Sequence, residues 1–359
     1  MSNKEAYMYI IRNNNFIKFI FEKVKDKFFI TGKNNDGIYK YPCCRVLHSQ
    51  LNFELDHIRP YCCLNTIDNI PKMLYNGENL TKSKIKEYLN TVSNIIFKNP
   101  ELCKICTHFY YGPKRQKVSY KLFRINTINL NQHRLFCNLK CNYCNYHNIK
   151  KAIAPYSVLP PIENLFKNNH ISDNCIFIWG GGESTLLPEF NTMTRLIQDR
   201  GYKQVLNTNG TIFSEAWAYV LSRDKRTYFT TSLDSGTRET FFKIKGKDLF
   251  DNVWENIKKY QTIAINKYSF NAKYIVSIDN CDKNDLDGFI EKCLQTGVKK
   301  ILISLEISEF FSHLSKKTID ATIYLKKIAL GNRILCKYYV PWGIGQFDTI
   351  DELKVNRIN

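Results

Sequence analysis

Three cysteines in the middle of the chain have the spacing C-x3-C-x2-C. They are Cys137, Cys141 and Cys144, and they fall within eight residues. A tight loop with this spacing can turn three thiolates toward one centre, and thiolates are the soft ligands that iron–sulfur clusters use. No fourth cysteine is close, so a four-iron cluster would keep one iron open, as catalytic metal centres do. A zinc site with a distant fourth ligand, such as His147, is the alternative.

A glycine-rich turn follows the apolar stretch 174–179, which predicts a short buried strand. The turn contains Gly181, Gly182 and Glu183. Glycines let the backbone approach a ligand closely, so this turn is a candidate binding loop. An ordinary glycine turn between a strand and a helix is the alternative.

Two more polar stretches end the next two apolar runs. The first is Thr208-Asn209-Gly210, and the second, 232–236, contains Ser232 and Asp234. Active sites of parallel α/β folds lie at the C-terminal ends of the strands, so the order of these stretches favours one shared site. Ordinary turn chemistry is the alternative, because Asn, Asp and Gly are common turn formers.

The elements that must position these residues form an α/β pattern after about residue 120. Apolar runs at 124–130, 174–179, 204–206, 228–233, 272–278 and 300–305 predict strands, and 334–340 is a last apolar run. Amphipathic stretches at 190–200, 213–221, 250–263, 286–295 and 319–329 predict helices between them. A full eight-unit barrel typically needs about 250 residues. The shorter stretch seen here predicts a partial barrel or an open parallel sheet of about six strands.

The cysteine loop resembles the signature of the radical S-adenosylmethionine (SAM) superfamily, in which an aromatic residue precedes the last cysteine. Tyr143 holds that position. The resemblance implies a partial (β/α)6 barrel and a [4Fe–4S] cluster on the three cysteines, with SAM on the open iron. It further implies reductive cleavage of SAM to a 5′-deoxyadenosyl radical, which takes a hydrogen atom from the substrate. A donor such as flavodoxin or ferredoxin would supply the electron.

The same resemblance assigns roles at the strand ends. It places Gly181, Gly182 and Glu183 at the methionine amino group of SAM, and Ser232 near its ribose and carboxylate. The residues expected to contact SAM are Tyr143, Gly181, Gly182, Glu183, Asn209 and Ser232. Asp234 would stand beside the substrate, and Cys281 is a candidate for returning a hydrogen atom to a substrate radical. A passive thiol is the alternative for Cys281. The family often has Pro where this chain has Ser184.

Six further cysteines precede the predicted barrel, at 43, 44, 62, 63, 103 and 106. The stretch 45–61 predicts a hairpin with its turn at Asp56-His57. The pattern resembles the auxiliary iron–sulfur modules called SPASM and twitch domains, although those usually follow the barrel. The most economical ligand set for a second cluster is Cys44, Cys62, Cys103 and Cys106, with Cys43 and Cys63 as the alternative members of their pairs. Zinc held by four cysteines and buried inert thiols are the alternatives. We therefore expect a cysteine-rich region at 1–120, a barrel at 121–345 and a tail at 346–359.

Composition bears on the substrate and the location. The 52 basic and 33 acidic residues give a net charge of +19, and a basic surface attracts anions. The first hypothesis is oxidation or epimerisation of an anionic carbohydrate or nucleotide-linked sugar. Peptide or protein modification is the second, and a non-catalytic zinc-binding protein belongs to another class. No recognisable RNA-binding module supports a nucleic-acid substrate. Without a long apolar run or a signal peptide, we expect a cytoplasmic protein with no membrane span.

Overall fold

The computed structural model describes part of the chain. The described residues are 41–44, 50–53, 58–60, 83, 87, 90, 91, 94, 109–112, 124–132, 136–144, 156–305, 315–340 and 345–347. Twelve strands have bounds within these residues. They are β1 (Tyr41–Cys44), β2 (Gln50–Phe53), β3 (Ile58–Pro60), β4 (Phe109–Gly112), β5 (Ile125–Leu130), β6 (Ile171–Trp179), β7 (Lys203–Asn207), β8 (Tyr228–Ser232), β9 (Phe270–Val276), β10 (Lys300–Leu305), β11 (Leu335–Val340) and β12 (Gly345–Phe347).

Ten of these strands form one sheet in the order β12-β11-β10-β9-β8-β7-β6-β5-β2-β3. The eight inner strands are parallel, and the outer strands β3 and β12 are antiparallel to their neighbours. The two edge strands are not paired with each other, so the sheet is open. The predicted open parallel α/β fold is confirmed. It has eight parallel strands where the sequence predicted about six, because β2 and β11 also join.

The strand β2 comes from the region before residue 120. It pairs parallel with β5 and antiparallel with β3, so the hairpin predicted within 45–61 is confirmed and becomes one edge of the large sheet. The predicted turn at Asp56-His57 lies outside the described residues. A separate two-stranded sheet joins β1 to β4, with Cys44 opposite Phe109. The sheet therefore extends across the predicted domain boundary.

Seven α-helices have described bounds. They are α1 (Leu159–Lys167), α2 (Phe190–Asp199), α3 (Glu215–Leu221), α4 (Arg238–Lys245), α5 (Phe250–Ile263), α6 (Lys283–Gln295) and α7 (Lys316–Gly331). All five predicted helices are present; the bounds of α5 match the prediction, and those of the other four are shifted. The sequence analysis missed α1, since a proline pair interrupts its pattern, although proline is tolerated in a first turn. It also missed the short α4, which begins at the Thr237 cap and ends at Gly246 in the left-handed conformation (φ 70°).

The inner strands alternate between two surroundings, as the period of a strand requires. On β9, Phe270, Ala272 and Tyr274 are buried in the hydrophobic core, which also contains Cys175 and Cys293 as expected. The intervening residues of β9 line a cavity on the opposite face, and β8 alternates in the same way. Every second residue of these strands is therefore available to a ligand.

Gly236, in the turn after β8, is needed because α6 approaches it closely. A Cβ at Gly236 would stand 1.9 Å from the backbone oxygen of Asp285 and 2.1 Å from the backbone nitrogen of Phe289. Helix backbone cannot rotate out of the way, so we expect Gly236→Ala to destabilise the protein by about 1–3 kcal/mol or more. Urea unfolding measures this effect.

Gly331 provides the matched control for that substitution. It lies in α7, and nothing lies within 4 Å of a Cβ added there. We expect Gly331→Ala to leave stability unchanged or raise it by up to about 1 kcal/mol. Equal stabilities of the two variants would show that α6 does not pack this closely on the turn.

Candidate active site

A cavity of about 610 Å³ lies on the inner face of the parallel sheet. Its lining includes the three loop cysteines, Cys137, Cys141 and Cys144, and the two turn glycines, Gly181 and Gly182. Five further residues, which lie on the strands or just after one, also line it: Asn209, Ser232, Asn271, Lys273 and Tyr339. The polar stretches that the sequence placed at successive strand ends therefore do meet around one space.

The three loop cysteines are partly buried and close enough to influence one another. Burial is the main cause of the raised pKa of the Cys137 and Cys141 thiols, and the neighbouring Cys144 raises both further. The side-chain amide of Asn209 donates a hydrogen bond to the Cys137 sulfur at 3.6 Å.

The fit of a cluster to this loop rests on two observations. Three soft sulfur donors share one cavity, and a glycine turn on the same cavity provides room for a ligand. Within the described ranges, no group of three His, Cys, Asp or Glu side chains forms a ready-made site for a metal ion. The chemistry of the three thiols suits a [4Fe–4S] cluster, which would leave one coordination position for a small molecule.

The cysteine loop is tied to the C-terminal end of α4. The backbone nitrogens of Lys140 and Asn142 donate hydrogen bonds to the carbonyl oxygens of Lys245 (3.0 Å) and Ile244 (2.9 Å). The last carbonyls of a helix have no partner within the helix, so the loop satisfies them. A Cβ at Gly246 would meet the backbone oxygen of Lys140 at 3.0 Å, which shows how closely the two segments pack.

Glu183 is fully buried and does not line the cavity, unlike the two glycines before it. Its carboxylate accepts hydrogen bonds from the hydroxyls of Thr185 (2.6 Å) and Thr208 (2.8 Å) and from the Asn209 backbone nitrogen (2.5 Å). Its own backbone nitrogen donates to the oxygen of Phe136 at 2.7 Å. Burial raises the pKa of Glu183, whereas these hydrogen bonds lower it. Glu183 thus joins three loops of the site, and its predicted contact with SAM stays a prediction.

Asp234 is fully buried behind the cavity lining. One carboxylate oxygen accepts from the Tyr143 hydroxyl (2.6 Å) and from Lys245, with which it forms a buried ion pair; the other accepts from the Ile275 backbone nitrogen (2.7 Å). The Lys245 ammonium also donates to the Tyr143 hydroxyl at 2.7 Å. Burial and the Asp234 charge raise the pKa of Tyr143. These contacts connect the cysteine loop to the end of β8, and the predicted place of Asp234 beside the substrate stays a prediction.

The other predicted residues lie in different surroundings. Asn209, Ser232 and Tyr143 line the cavity, and their contacts with SAM stay predictions. Cys281 is buried in the core, where its thiol donates to the Ile278 carbonyl at 3.4 Å, and it does not line the cavity. Cys44 lies in β1. The other three predicted auxiliary ligands, Cys62, Cys103 and Cys106, lie outside the described residues.

The sequence analysis missed Lys245 and Lys273. Lys245 is one of several lysines in and after α4, and nothing in that pattern marks it as buried. Lys273 left a clearer signal, because β8 and β9 carry polar side chains at alternate positions: Tyr228, Thr230 and Ser232 on β8, and Asn271 and Lys273 on β9. A polar stripe on an otherwise apolar strand indicates a face turned to a ligand rather than to the core.

The sequence around this site matches the model of a known protein family. Residues 132–293, somewhat less than half of the chain, match the family model of the Radical SAM superfamily. The predicted cluster and SAM are what this family implies. Among the described residues, no helix has the length and hydropathy to cross a membrane.

Two relatives share parts of the sequence. The chain is 35% identical over 102 residues to a cysteine-type anaerobic sulfatase-maturating enzyme of Clostridium perfringens, covering 25% of this chain and 28% of that enzyme. It is 27% identical over 214 residues to a probable GTP 3′,8-cyclase of Saccharolobus islandicus, covering 57% of this chain and 66% of the cyclase. The match thus spans less than two thirds of either relative.

Solved structures of SuiB from Streptococcus suis are also similar. SuiB bound to the precursor peptide SuiA aligns with a TM-score of 0.45 and 12% identity, over 78% of this chain and 57% of SuiB. SuiB bound to S-adenosylmethionine aligns with a TM-score of 0.46 and 10% identity, over 71% of this chain and 62% of SuiB.

Proposed function

We propose that this chain is an enzyme that cleaves SAM reductively and uses the resulting radical to remove a hydrogen atom from a substrate held in the cavity. The observation that carries the proposal is the meeting of Cys137, Cys141 and Cys144 with the Gly181-Gly182 turn around one space. The family match over residues 132–293 supports it.

In this proposal the three cysteines hold a [4Fe–4S] cluster. Held there, the cluster would supply one electron to bound SAM, whose carbon–sulfur bond would break to give methionine and a 5′-deoxyadenosyl radical. The Asn209 amide, which already donates to the Cys137 sulfur, stabilises negative charge on that thiolate. The backbone hydrogen bonds from Lys140 and Asn142 to the end of α4 keep the loop backbone in place on both sides of Cys141.

SAM would lie between the cysteine loop and the ends of β6, β7 and β8. The backbone of Gly181 and Gly182 can approach its amino group closely, because neither residue has a side chain. Ser232 offers a hydroxyl to its ribose and carboxylate. Asn209 lines the same space, but its amide already donates to the Asn138 oxygen (2.7 Å) and to the Cys137 sulfur, and its oxygen accepts from Thr211. Both side chains are partly buried, so their hydrogen bonds compete with few water molecules.

The substrate class that we favour is a small anionic molecule, such as a phosphorylated carbohydrate or a nucleotide-linked sugar. The cavity lining among described residues includes no carboxylate and two lysines, of which Lys245 is paired with the buried Asp234 and Lys273 is not, and the Lys273 charge suits an anion. The similarity to a probable GTP 3′,8-cyclase is consistent with a nucleotide-like substrate. Peptide or protein modification is the second candidate, because the sulfatase-maturating relative is named for action on a protein.

A second cluster in the N-terminal region is part of the proposal, with Cys44, Cys62, Cys103 and Cys106 as ligands. The pairing of β1 with β4 sets Cys44 opposite Phe109, three residues after Cys106 in the sequence. The sulfatase-maturating relative favours an auxiliary cluster over zinc. Either metal would be released by the same cysteine substitutions, and the change in iron or zinc content of that variant tells the two metals apart.

Anaerobic reconstitution with iron and sulfide tests the proposed function. The purified chain receives SAM and dithionite, and 5′-deoxyadenosine and methionine are measured by liquid chromatography with mass spectrometry. We expect a brown protein that forms both products in equal amounts. A colourless protein that binds zinc and forms neither product would support the non-catalytic alternative instead.

A further inference from the structure

We infer that Lys273 and Asn271, on the inner face of β9, bind an anionic group of the substrate together with a neighbouring hydroxyl or amino group. This inference rests on the proposed function and names the part of the substrate that the cavity recognises. The anionic group is a carboxylate or a phosphate, both of which accept hydrogen bonds from an ammonium group.

Lys273 is a cation without a carboxylate partner in the described part of the chain. The nearby carboxylate is Asp234, and it is already engaged by Lys245 and Tyr143. The one described contact of the Lys273 ammonium is with the ring of Tyr339, 5.1 Å from its centroid. Burial lowers the pKa of Lys273, the charge of Asp234 partly offsets this effect, and the charge of Lys245 lowers the pKa further. A charged group in such a place is costly unless an anion arrives to pair with it.

Asn271 is the second, independent observation. It is 4% exposed, lines the same cavity, and its amide donates to the Thr230 hydroxyl at 3.2 Å. Within the described part of the chain, its side-chain oxygen has no hydrogen-bond partner. A buried acceptor without a donor costs about 1–3 kcal/mol, so a donor from a ligand is expected at this oxygen.

The sheet order places Asn271 and Lys273, on β9, away from β5, the strand after which the cysteine loop begins. Asn271 and Lys273 lie opposite Thr230 and Ser232 in the sheet register. The Lys273 side chain reaches Tyr339 on β11, two strands further from β5, where the cysteine loop begins. A substrate anchored on Lys273 would thus lie along β9 to β11, with its other end directed at Ser232 and the SAM site.

Anion binding by the reconstituted, SAM-bound protein tests the inference. Inorganic phosphate, inorganic pyrophosphate and acetate are titrated by calorimetry into the wild type, Lys273→Met and Lys273→Arg. We expect saturable binding to the wild type, at least about tenfold weaker binding to Lys273→Met, and partial recovery in Lys273→Arg. A preference for phosphate or pyrophosphate over acetate identifies a phosphorylated substrate, and the reverse identifies a carboxylate.

Lys258→Met is the matched control, because Lys258 is an exposed lysine on α5 and its loss removes the same charge from the surface. It should bind the probes as the wild type does. Equal anion affinity in Lys273→Met and wild type would overturn the inference. A tenfold loss of SAM affinity in Lys273→Met, with unchanged anion binding, would also overturn it and assign Lys273 to SAM.

A second measurement uses the wild type alone, so that a folding defect in a variant cannot affect its result. Lysines are acetylated briefly, with and without 10-fold excess phosphate over its dissociation constant, and each site is quantified by mass spectrometry. We expect phosphate to protect Lys273 several-fold and to leave Lys258 unchanged; no protection of Lys273 by any of the three anions would contradict the inference. Neither measurement requires SAM cleavage, so failure of the anion site and failure of the proposed function are distinguishable.

Discussion

Replacing Cys137, Cys141 and Cys144 together with alanine is expected to abolish SAM cleavage, with a loss of about a thousandfold or more in the rate of 5′-deoxyadenosine release. No other described residue of the cavity lining is a cysteine. The three side chains are partly exposed and lie outside the hydrophobic core, so the unfolding transition should change little. The measurement is the anaerobic assay with SAM and dithionite.

The iron content of the same variant separates the two proposed clusters. About four irons per chain should be lost with the barrel cysteines, while the iron held by the N-terminal cysteines remains. Cys175→Ala is the matched control, because Cys175 is a core thiol on β6 and its loss removes no proposed ligand. An iron content that is unchanged in the triple variant would show that the ligands have been assigned wrongly.

Much of this site could be predicted because its signals are local in the sequence. The three cysteines lie within eight residues, and the glycine turn follows its strand directly. The alternation of strands and helices predicts a parallel sheet, and the ends of parallel strands lie together at one edge of such a sheet. The structure confirms that Cys137, Gly181, Asn209 and Ser232 line one cavity.

The remaining features depend on contacts between distant segments. The sequence predicted a shared site at 232–236, with ordinary turn chemistry as the alternative, and it did not indicate which residue of this stretch has a positive φ. In the structure Asp234 has the left-handed conformation (φ 59°), and Gly236 is required by the close approach of α6. Lys245 could not be identified either, because its partner Asp234 lies in the preceding loop and its burial depends on packing against Tyr143. Such residues become visible only once the elements are assembled.

Asp234→Ala is expected to destabilise the protein by about 3–5 kcal/mol, because it leaves the buried Lys245 ammonium without its counter-charge. Lys245→Met should cost a similar amount by leaving the carboxylate unpaired. The double variant, which removes both charges, should be more stable than the sum of the single effects predicts, by about 1–3 kcal/mol. Denaturant unfolding of all four proteins measures this coupling, and additive effects would contradict an ion pair at this place.

Asp234→Asn distinguishes a positioning role from a role at the substrate. The amide oxygen can still accept from the Ile275 backbone nitrogen, whereas the charge facing Lys245 and Tyr143 is lost. If Asp234 positions the cysteine loop, stability, iron retention and SAM cleavage should all decline together, since Lys245 carries a carbonyl that holds the loop. If Asp234 instead acts on the substrate, SAM cleavage without substrate should persist. Asp234 is buried behind Tyr143, which favours the first outcome. In that case the Asp234 charge fixes the position of the cysteine loop and does not contact the substrate.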